Sequence, residues 1–166
     1  TWDISENGNR SVTATLSEDG NMIISGHGKM KDYPLENRVI WYNNREKIKN
    51  VIINDGVASI GKNAFFDCKN LTNITIPESV TTIGEKAFCY STSLTDITLP
   101  NGVTNIGNSA FSSCTGLTNI TIPNTVRKIE YYAFSGCTGL TNIIIPNGVK
   151  SIEGQAFSGC TNLASI

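Results

Sequence analysis

Cysteine is the residue type most able to do chemistry in this chain of 166 residues, which contains five of them. Four recur at one position of an internal repeat, and these are Cys68, Cys114, Cys137 and Cys160. A thiolate can ligate zinc or act as a nucleophile, but zinc knuckles place paired ligands two to four residues apart. Because these four are separated by multiples of 23 residues, we predict a structural ladder of small buried thiols. Distance does not exclude a disulfide between neighbouring rungs, although parallel side chains disfavour the required dihedral angle.

Other catalytic residue types are sparse or dispersed. The single histidine, His27, lies between Gly26 and Gly28, and no serine or cysteine has the G-x-S-x-G context of a hydrolase nucleophile. Acidic residues of the repeats are scattered over several positions, and only Glu130 and Glu153 share one, so we identify no carboxylate constellation suited to glycoside hydrolysis. They are Glu78, Glu85, Asp96, Glu130 and Glu153. The sequence therefore predicts a protein that is not an enzyme and binds no metal or cofactor.

Charge and hydropathy exclude two further classes of function. Lys and Arg number 13 and Asp and Glu number 14, so the net charge of −1 lacks the positive surface that nucleic-acid binding needs. No apolar run approaches the roughly 20 residues that span a bilayer, so we expect no membrane insertion. Asn and Thr are abundant instead, with 19 and 18 residues. Most of that excess comes from one repeated polar stretch, T-N-I-T-I-P-N.

An uninterrupted repeat of 23 residues organises most of the chain. Its leucine column shows the step and consists of Leu71, Leu94, Leu117, Leu140 and Leu163. Columns of Ile, Pro, Val and an Ala-Phe pair follow the same step, and the Ile column continues to Ile166. We predict an amino-terminal unit at 1–47 and a solenoid at 48–166. Its five repeats are 48–70, 71–93, 94–116, 117–139 and 140–162, with a partial sixth after them.

Each 23-residue unit predicts one coil of a solenoid. Its I-x-I stretch, such as Ile74-Thr75-Ile76, alternates with period two and predicts a short strand with one buried face. The following proline ends that strand, Asn-Gly pairs predict a turn, and the Ala-Phe pair predicts a short helical or 3₁₀ turn. Since one copy is apolar on only half its faces, copies must stack to form a core. The predicted fold is a mainly β repeat solenoid, with a generic parallel β-helix as the alternative.

The two ends of the solenoid follow different patterns. Residues 12–16 alternate apolar and polar, and residues 22–24 are apolar, which predicts a β-hairpin in an amino-terminal cap. We expect Trp41 and Tyr42 to cover the open end of the solenoid. Residues 161–166 only begin another repeat, so we expect the natural protein to continue or to carry a further cap. An exposed last rung there would also favour end-to-end association with another molecule.

The strand face is the surface best placed to bind a partner. Side chains that flank the inward Ile residues point outward and form two columns across the repeats. The first column is Asn50, Asn73, Asp96, Asn119 and Asn142. The second column is Ile52, Thr75, Thr98, Thr121 and Ile144. A solvated sheet with cross-strand hydrogen bonds is the alternative interpretation. Tyr131 and Tyr132 depart from the small polar residues of their columns and are candidate aromatic contacts.

Copies such as LTNITIPNTVRKIEYYAFSGCTG at 117–139 resemble the BspA-like class of leucine-rich repeats. Residues 16–30 resemble the amino-terminal module of that family, and 41–45 (WYNNR) resembles the lead-in to its first repeat, apart from Ile40 where proline is common. The resemblance implies a secreted or cell-surface bacterial protein that adheres to host or neighbouring-cell macromolecules. The expected partner is an extracellular protein or glycan. The alternative function is a structural spacer that displays another domain of a longer chain.

Overall fold

Short β-branched stretches of the repeats form two ladders along the solenoid, and most of them pair with the stretch of the next repeat. The computed structural model describes residues 1–34 and 39–165. Residues 35–38 of the predicted cap and Ile166 of the isoleucine column lie outside the described residues. The front ladder consists of β1 (Trp2–Asp3), β2 (Val12–Leu16), β3 (Asn21–Gly26), β5 (Asn50–Ile53), β7 (Asn73–Thr75), β9 (Asp96–Thr98) and β11 (Asn119–Thr121). The back ladder consists of β4 (Gly28–Lys29), β6 (Val57–Ile60), β8 (Thr82–Ile83), β10 (Asn105–Ile106), β12 (Lys128–Ile129) and β13 (Ser151–Ile152).

Neighbouring repeats run parallel and in register at the predicted step. In the front ladder Asn73 lies beside Asn50, and in the back ladder Ile83 lies beside Ile60. A slip of one residue would turn each buried column outward, so the apolar pattern fixes this register. The predicted mainly β repeat solenoid is therefore confirmed.

The interior is filled by columns of like side chains, of which the phenylalanine column has the largest residues. Its rings lie one above another, with centroids 5.2–5.4 Å apart and interplanar angles of 13° or less. The members are Phe65, Phe88, Phe111, Phe134 and Phe157, of which the first four are fully buried. Burying one such side chain contributes roughly 1.5–3 kcal/mol. Because each ring packs on rings from adjacent repeats, this stabilisation exists only in the stack.

The Ala-Phe turn closes each coil without forming a helix. Asn63 and Asp67, which flank Ala64-Phe65, have left-handed backbone conformations with φ of 57° and 59°. Their N–H groups and that of Phe65 donate to carbonyls of the next repeat at 2.7–2.9 Å, while the intervening N–H groups bond within the turn. Because every second N–H is used between repeats, the turn has i→i−3 bonds of the 3₁₀ type only at alternate residues and does not continue as a helix. The 3₁₀ helix that the described ranges do contain, Tyr42–Lys47, precedes these turns.

The amino-terminal segment forms the predicted hairpin and also adds a rung to both ladders. β2 and β3 are antiparallel, which confirms the hairpin. β3 then runs parallel to β5, and β4 runs parallel to β6. Met22 and Ile24 are buried beside Val51 and Ile53, so this strand continues the buried columns of the repeats.

Trp41 lies at the head of the phenylalanine stack. It is fully buried, its ring centroid is 6.1 Å from that of Phe65, and its Nε1–H donates to the Ala64 carbonyl at 3.1 Å. Tyr42 is half-buried, and the Arg45 guanidinium lies over its ring at 4.1 Å. Trp41 therefore shields the first phenylalanine from water, while the boundary between 47 and 48 stays a prediction.

Candidate interaction surfaces

The two predicted surface columns lie side by side on the front ladder. We name the ten residues together the ladder face, and they are Asn50, Ile52, Asn73, Thr75, Asp96, Thr98, Asn119, Thr121, Asn142 and Ile144. Asn50 is half-buried and the other nine are exposed. Within paired strands the columns are in register, as Ile52 with Thr75 and Thr98 with Thr121 show. The structure therefore brings these predicted residues to one side of the solenoid.

Amide side chains in the first column hydrogen-bond to one another along the solenoid. Nδ2 of Asn50 donates to Oδ1 of Asn21 at 2.9 Å, and Nδ2 of Asn73 donates to Oδ1 of Asn50 at 3.0 Å. Further along, Nδ2 of Asn119 donates to Oδ1 of Asp96 at 2.8 Å. These bonds stabilise the sheet and engage polar groups that a ligand would otherwise contact.

Asn21 and Ile23 extend both columns into the cap, and the 23-residue step does not predict them. Asn21 lies beside Asn50, a separation of 29 residues. The signal in the sequence is the match of N-M-I-I in the cap to N-V-I-I in the first repeat. Ile23 lies beside Ile52, and both are 45% exposed, so this end of the ladder face is apolar.

The front ladder opens where neighbouring strands are not paired. β7 and β9 belong to separate sheets, whereas the back ladder is continuous from β4 to β13. A cleft of about 340 Å³ between β7 and β9 is lined in part by Ile74, Ile97, Glu78 and Asp96. A second cleft, of about 290 Å³, lies beside β11 and is lined in part by Ile144, which is 79% exposed. The repeat pattern does not indicate these clefts, because similar residues occupy paired and unpaired strands.

A further cleft of about 700 Å³ lies between the hairpin and the 3₁₀ helix. Trp2 and Leu16 supply apolar surface, and Glu18, Lys47 and Lys49 supply charges of both signs. These residues come from separate segments of the cap and from the start of the first repeat, so sequence spacing does not reveal the cleft.

The predicted thiol ladder lies inside the solenoid. Cys68, Cys114 and Cys137 are buried, Cys160 is half-buried, and these four and the buried Cys89 are free thiols. Three of the thiols donate to a phenylalanine carbonyl of the preceding repeat at 3.0–3.1 Å. A serine stands in this column in the second repeat, and its hydroxyl makes the same bond at 2.9 Å. The column therefore satisfies buried backbone carbonyls, and either side chain can do so.

Burial also removes the reactivity of these thiols. It raises the pKa of Cys137 to about 12 and that of Cys89 to about 11, and it raises the pKa of Cys114 well above the ordinary value. At neutral pH the thiols are protonated, and a protonated thiol is neither a nucleophile nor a good metal ligand.

The predicted aromatic contacts lie on the closing turns and away from the front ladder. Tyr131 and Tyr132 are 50% and 41% exposed on the turn of the fourth repeat. Tyr90 is 48% exposed on the turn of the second repeat, where its ring meets Phe66 edge-on at 5.7 Å. We name these three tyrosines the tyrosine edge. The structure thus places the ladder face and the aromatic contacts on different parts of each coil.

Residue types with catalytic or metal-binding chemistry stay dispersed in the structure. His27 lies in the turn between β3 and β4, beside Gly56. Within residues 1–34 and 39–165, no group of three or more His, Cys, Asp or Glu is placed to hold a metal ion. The same ranges contain no helix with the length and apolar character to cross a bilayer.

Comparison with family models places the repeat in a known class. Residues 39–166 match the model described as BspA type Leucine rich repeat region (6 copies). The chain belongs to this family. The match confirms the resemblance seen in the 23-residue unit and includes Trp41 and Tyr42 ahead of the first predicted repeat. A search of curated proteins finds no match.

Solved structures share this fold over most of the chain. A leucine-rich repeat protein from Bacteroides ovatus is 25% identical with a TM-score of 0.57, and the match covers 93% of this chain and 51% of that one. A leucine rich cell surface protein from Faecalibacterium prausnitzii is 28% identical with a TM-score of 0.59, over 93% and 53% of the two chains. A T. pallidum leucine-rich repeat protein, 23% identical with a TM-score of 0.59 over 93% and 89%, shows the fold alone. The chain spans about half the length of the first two proteins.

Proposed function

We propose that this chain is a non-catalytic protein-interaction module of a secreted or cell-surface bacterial protein, which adheres to host or neighbouring-cell macromolecules. The observation that carries the proposal is the in-register stack of repeats, which presents exposed side chains in straight columns. Solenoids commonly bind partners through such extended surfaces. The proposed ligand is an extracellular protein or a glycan, and the ladder face and the tyrosine edge are two candidate surfaces for it.

Rigidity of the scaffold supports a binding role. Backbone hydrogen bonds join adjacent repeats at the back strands and at the closing turns, and paired front strands add a third set. A surface held in this way loses little conformational entropy when it binds, so more of the contact energy appears as affinity. Repetition also allows several weak contacts to act together along a longer chain.

The proposed location is supported by family membership and by one of the similar structures. The protein from Faecalibacterium prausnitzii is described as a cell surface protein and is 28% identical to this chain. That description supports the proposed location of this chain outside the cell, either secreted or held at the surface.

A structural spacer is the second candidate function, and the amide ladder favours it. Because Asn73, Asn50 and Asn21 hydrogen-bond to one another, part of the ladder face serves the sheet itself. The chain spans about half of two similar proteins, so a displayed domain is compatible with the comparison. Binding by the longer natural chain but not by this segment would support the spacer.

We also propose end-to-end association through the last rung. Phe157 and Leu163 are only partly buried, whereas Phe134 and Leu140 in the preceding repeat are fully buried. Sedimentation velocity over a range of protein concentrations tests this contact. A single monomeric species at every concentration would contradict it.

Adhesion is tested with the folded chain on immobilised collagen, laminin, fibronectin and mucin, measured by biolayer interferometry. We expect saturable binding to at least one probe, and no saturable binding by chain unfolded in urea and applied immediately after dilution. Failure of the folded chain to bind any probe, together with failure of a longer natural chain, would contradict adhesion.

A further inference from the structure

Two positions in every closing turn require a left-handed backbone. The first precedes the Ala-Phe pair, and the second follows its Phe by two residues. The first position is occupied by Asn63, Lys86, Ser109, Tyr132 and Gln155, with φ between 54° and 61°. The second position is occupied by Asp67, Tyr90, Ser113, Gly136 and Gly159, with φ between 58° and 75°. Gly, Asn and Asp adopt this conformation readily, whereas a bulky side chain there is a genuine outlier.

Tyr90 and Tyr132 are the two bulky aromatic residues at these positions, and a large part of each is exposed. Among residues 1–34 and 39–165, the Tyr132 side chain makes no ring contact and no hydrogen bond, and it is 41% exposed. Tyr90 makes one edge contact, with Phe66 at 5.7 Å, and is 48% exposed. The backbone strain at Tyr132 is therefore not offset by a ring contact or a side-chain hydrogen bond within these residues. Strain of this kind is concentrated at functional sites.

Small residues lie near these tyrosines, and the charged groups nearby are paired with one another. Ser135 and Gly136 are close in sequence to Tyr131 and Tyr132, and Gly154 of the next repeat is close in space, where an added Cβ would lie 3.4 Å from the Tyr131 ring. The nearby carboxylates are all engaged by donors or cations. The pairs are Asp67 with Arg45 and Lys69, Glu85 with Lys62 and Lys86, Glu130 with Asn105 and the Asn108 N–H, and Glu153 with Lys128.

We propose that the tyrosine edge is the partner-binding surface of this chain and that its partner is an uncharged protein surface. The inference rests on the proposed interaction function and names the site and partner class. Rigid Tyr side chains among Ser and Gly are the chemistry by which antibody loops bind protein surfaces, because Tyr gives a large amphipathic contact at low entropic cost. With the local charges already paired, a charged partner would gain no unpaired counter-ion here.

Geometry favours this edge over the ladder face. On the ladder face the amides of Asn50, Asn73 and Asn119 already donate to neighbouring side chains. On the tyrosine edge, Tyr90 and Tyr132 lie two rungs apart, about 10 Å along the solenoid, on turns whose backbone is tied to the adjacent repeats. Exposed rings on a fixed backbone at this spacing suit a single contact patch.

Tyr132→Asn tests the inference, because asparagine occupies the same position in the first repeat. The matched control is Gln155→Asn, which relieves the same left-handed position in the fifth repeat without removing a ring. Thr98→Ala supplies a ladder-face variant. Each protein is heated under circular dichroism and titrated against the immobilised matrix protein that binds the wild type. Tyr132→Asn should raise Tm by roughly 2–4 °C and weaken binding at least about tenfold.

The controls separate this inference from the proposed function. Gln155→Asn should raise Tm by a similar amount and leave affinity within about twofold of the wild-type value. Thr98→Ala should also leave affinity within about twofold of the wild-type value. A lower Tm for Tyr132→Asn would show that the ring stabilises the fold and would overturn the inference. Unchanged affinity of Tyr132→Asn would overturn the inference, as would loss of binding by Thr98→Ala alone. Binding of the wild type only to mucin glycan would also overturn it. None of these results would contradict adhesion itself. Absence of wild-type binding to every probe would contradict both.

Discussion

Phe111 lies in the middle of the phenylalanine stack, and Phe111→Ala measures how much the stack stabilises the solenoid. Its ring is fully buried, with Phe88 at 5.2 Å on one side and Phe134 at 5.4 Å on the other. A Phe→Ala change in a core costs about 3–5 kcal/mol through lost transfer energy and a cavity. Two ring contacts are lost as well, each contributing about 0.5–1.5 kcal/mol. We therefore expect the free energy of unfolding to fall by about 5 kcal/mol, the upper end of that range.

Phe157→Ala is the matched control. Phe157 belongs to the same column but is only half-buried and has one ring neighbour, Phe134 at 5.4 Å. Its replacement should cost about 2 kcal/mol. Because about 5 kcal/mol is a large part of the stability of a typical domain, Phe111→Leu serves as a milder variant if Phe111→Ala does not fold.

Urea unfolding followed by Trp41 fluorescence measures these costs, since that indole leaves a fully buried site when the chain unfolds. Equal costs for Phe111→Ala and Phe157→Ala would refute a core that is continuous through the repeats. A cost below about 2 kcal/mol for Phe111→Ala would refute the stack as a main source of stability.

Three further predictions concern the thiol column, the separate thiol of Cys89 and the amide column. Cys137→Ser should change the free energy of unfolding by less than about 1 kcal/mol, because a hydroxyl can also donate to the Phe111 carbonyl. Urea midpoints measure the stability of Cys137→Ser against that of Cys137→Ala. Burial raises the pKa of Cys89 from 9.0 to about 11, so its protonated form is favoured in the folded state. Its contribution to stability should be complete below pH 9 and decrease between pH 9 and 11, as urea midpoints of wild type and Cys89→Ser measure. Asn119→Asp should lower the free energy of unfolding by about 0.5–1 kcal/mol at pH 7, because it places a carboxylate beside Asp96. The loss should be smaller at pH 3, and urea midpoints at the two pH values measure the difference.

Each of these predictions has a contrary result. A larger loss from Cys137→Ser than from Cys137→Ala would show that the hydroxyl does not replace the thiol. Identical dependence of stability on pH in wild type and Cys89→Ser between pH 9 and 11 would contradict the buried, protonated thiol. A loss from Asn119→Asp that is the same at pH 3 and pH 7 would show that charge repulsion is not its cause.

Spacing predicts most of this fold because each rung of a solenoid contains one repeat. The 23-residue step between Asn50 and Asn73 is also the step between neighbouring strands. The closing turn was harder to predict, since Lys86 and Tyr132 occupy left-handed positions that their residue types do not favour. Hydrogen bonds between repeats determine that conformation, and no local pattern shows them.

Some candidate surfaces were predicted from the sequence and others were not, because contacts between repeats leave no local pattern. Alternation of apolar and polar residues places Thr75 and Thr98 outward without any knowledge of packing. The rung that the cap adds to the front ladder was not predicted, because Asn21 precedes Asn50 by 29 residues, outside the period of the repeat. The cleft between β7 and β9 depends on how far apart two rungs lie, which residue types do not encode.

Tyrosine iodination read by peptide mass spectrometry tests most directly that this chain binds a protein partner through its tyrosine edge. In the free chain Tyr90, Tyr131 and Tyr132 are exposed, and buried Tyr33 provides an unreactive internal reference. In a saturated complex with the matrix protein that binds, we predict that the three exposed tyrosines lose most of their reactivity. Iodination of all three at the rate seen in the free chain would contradict the claim.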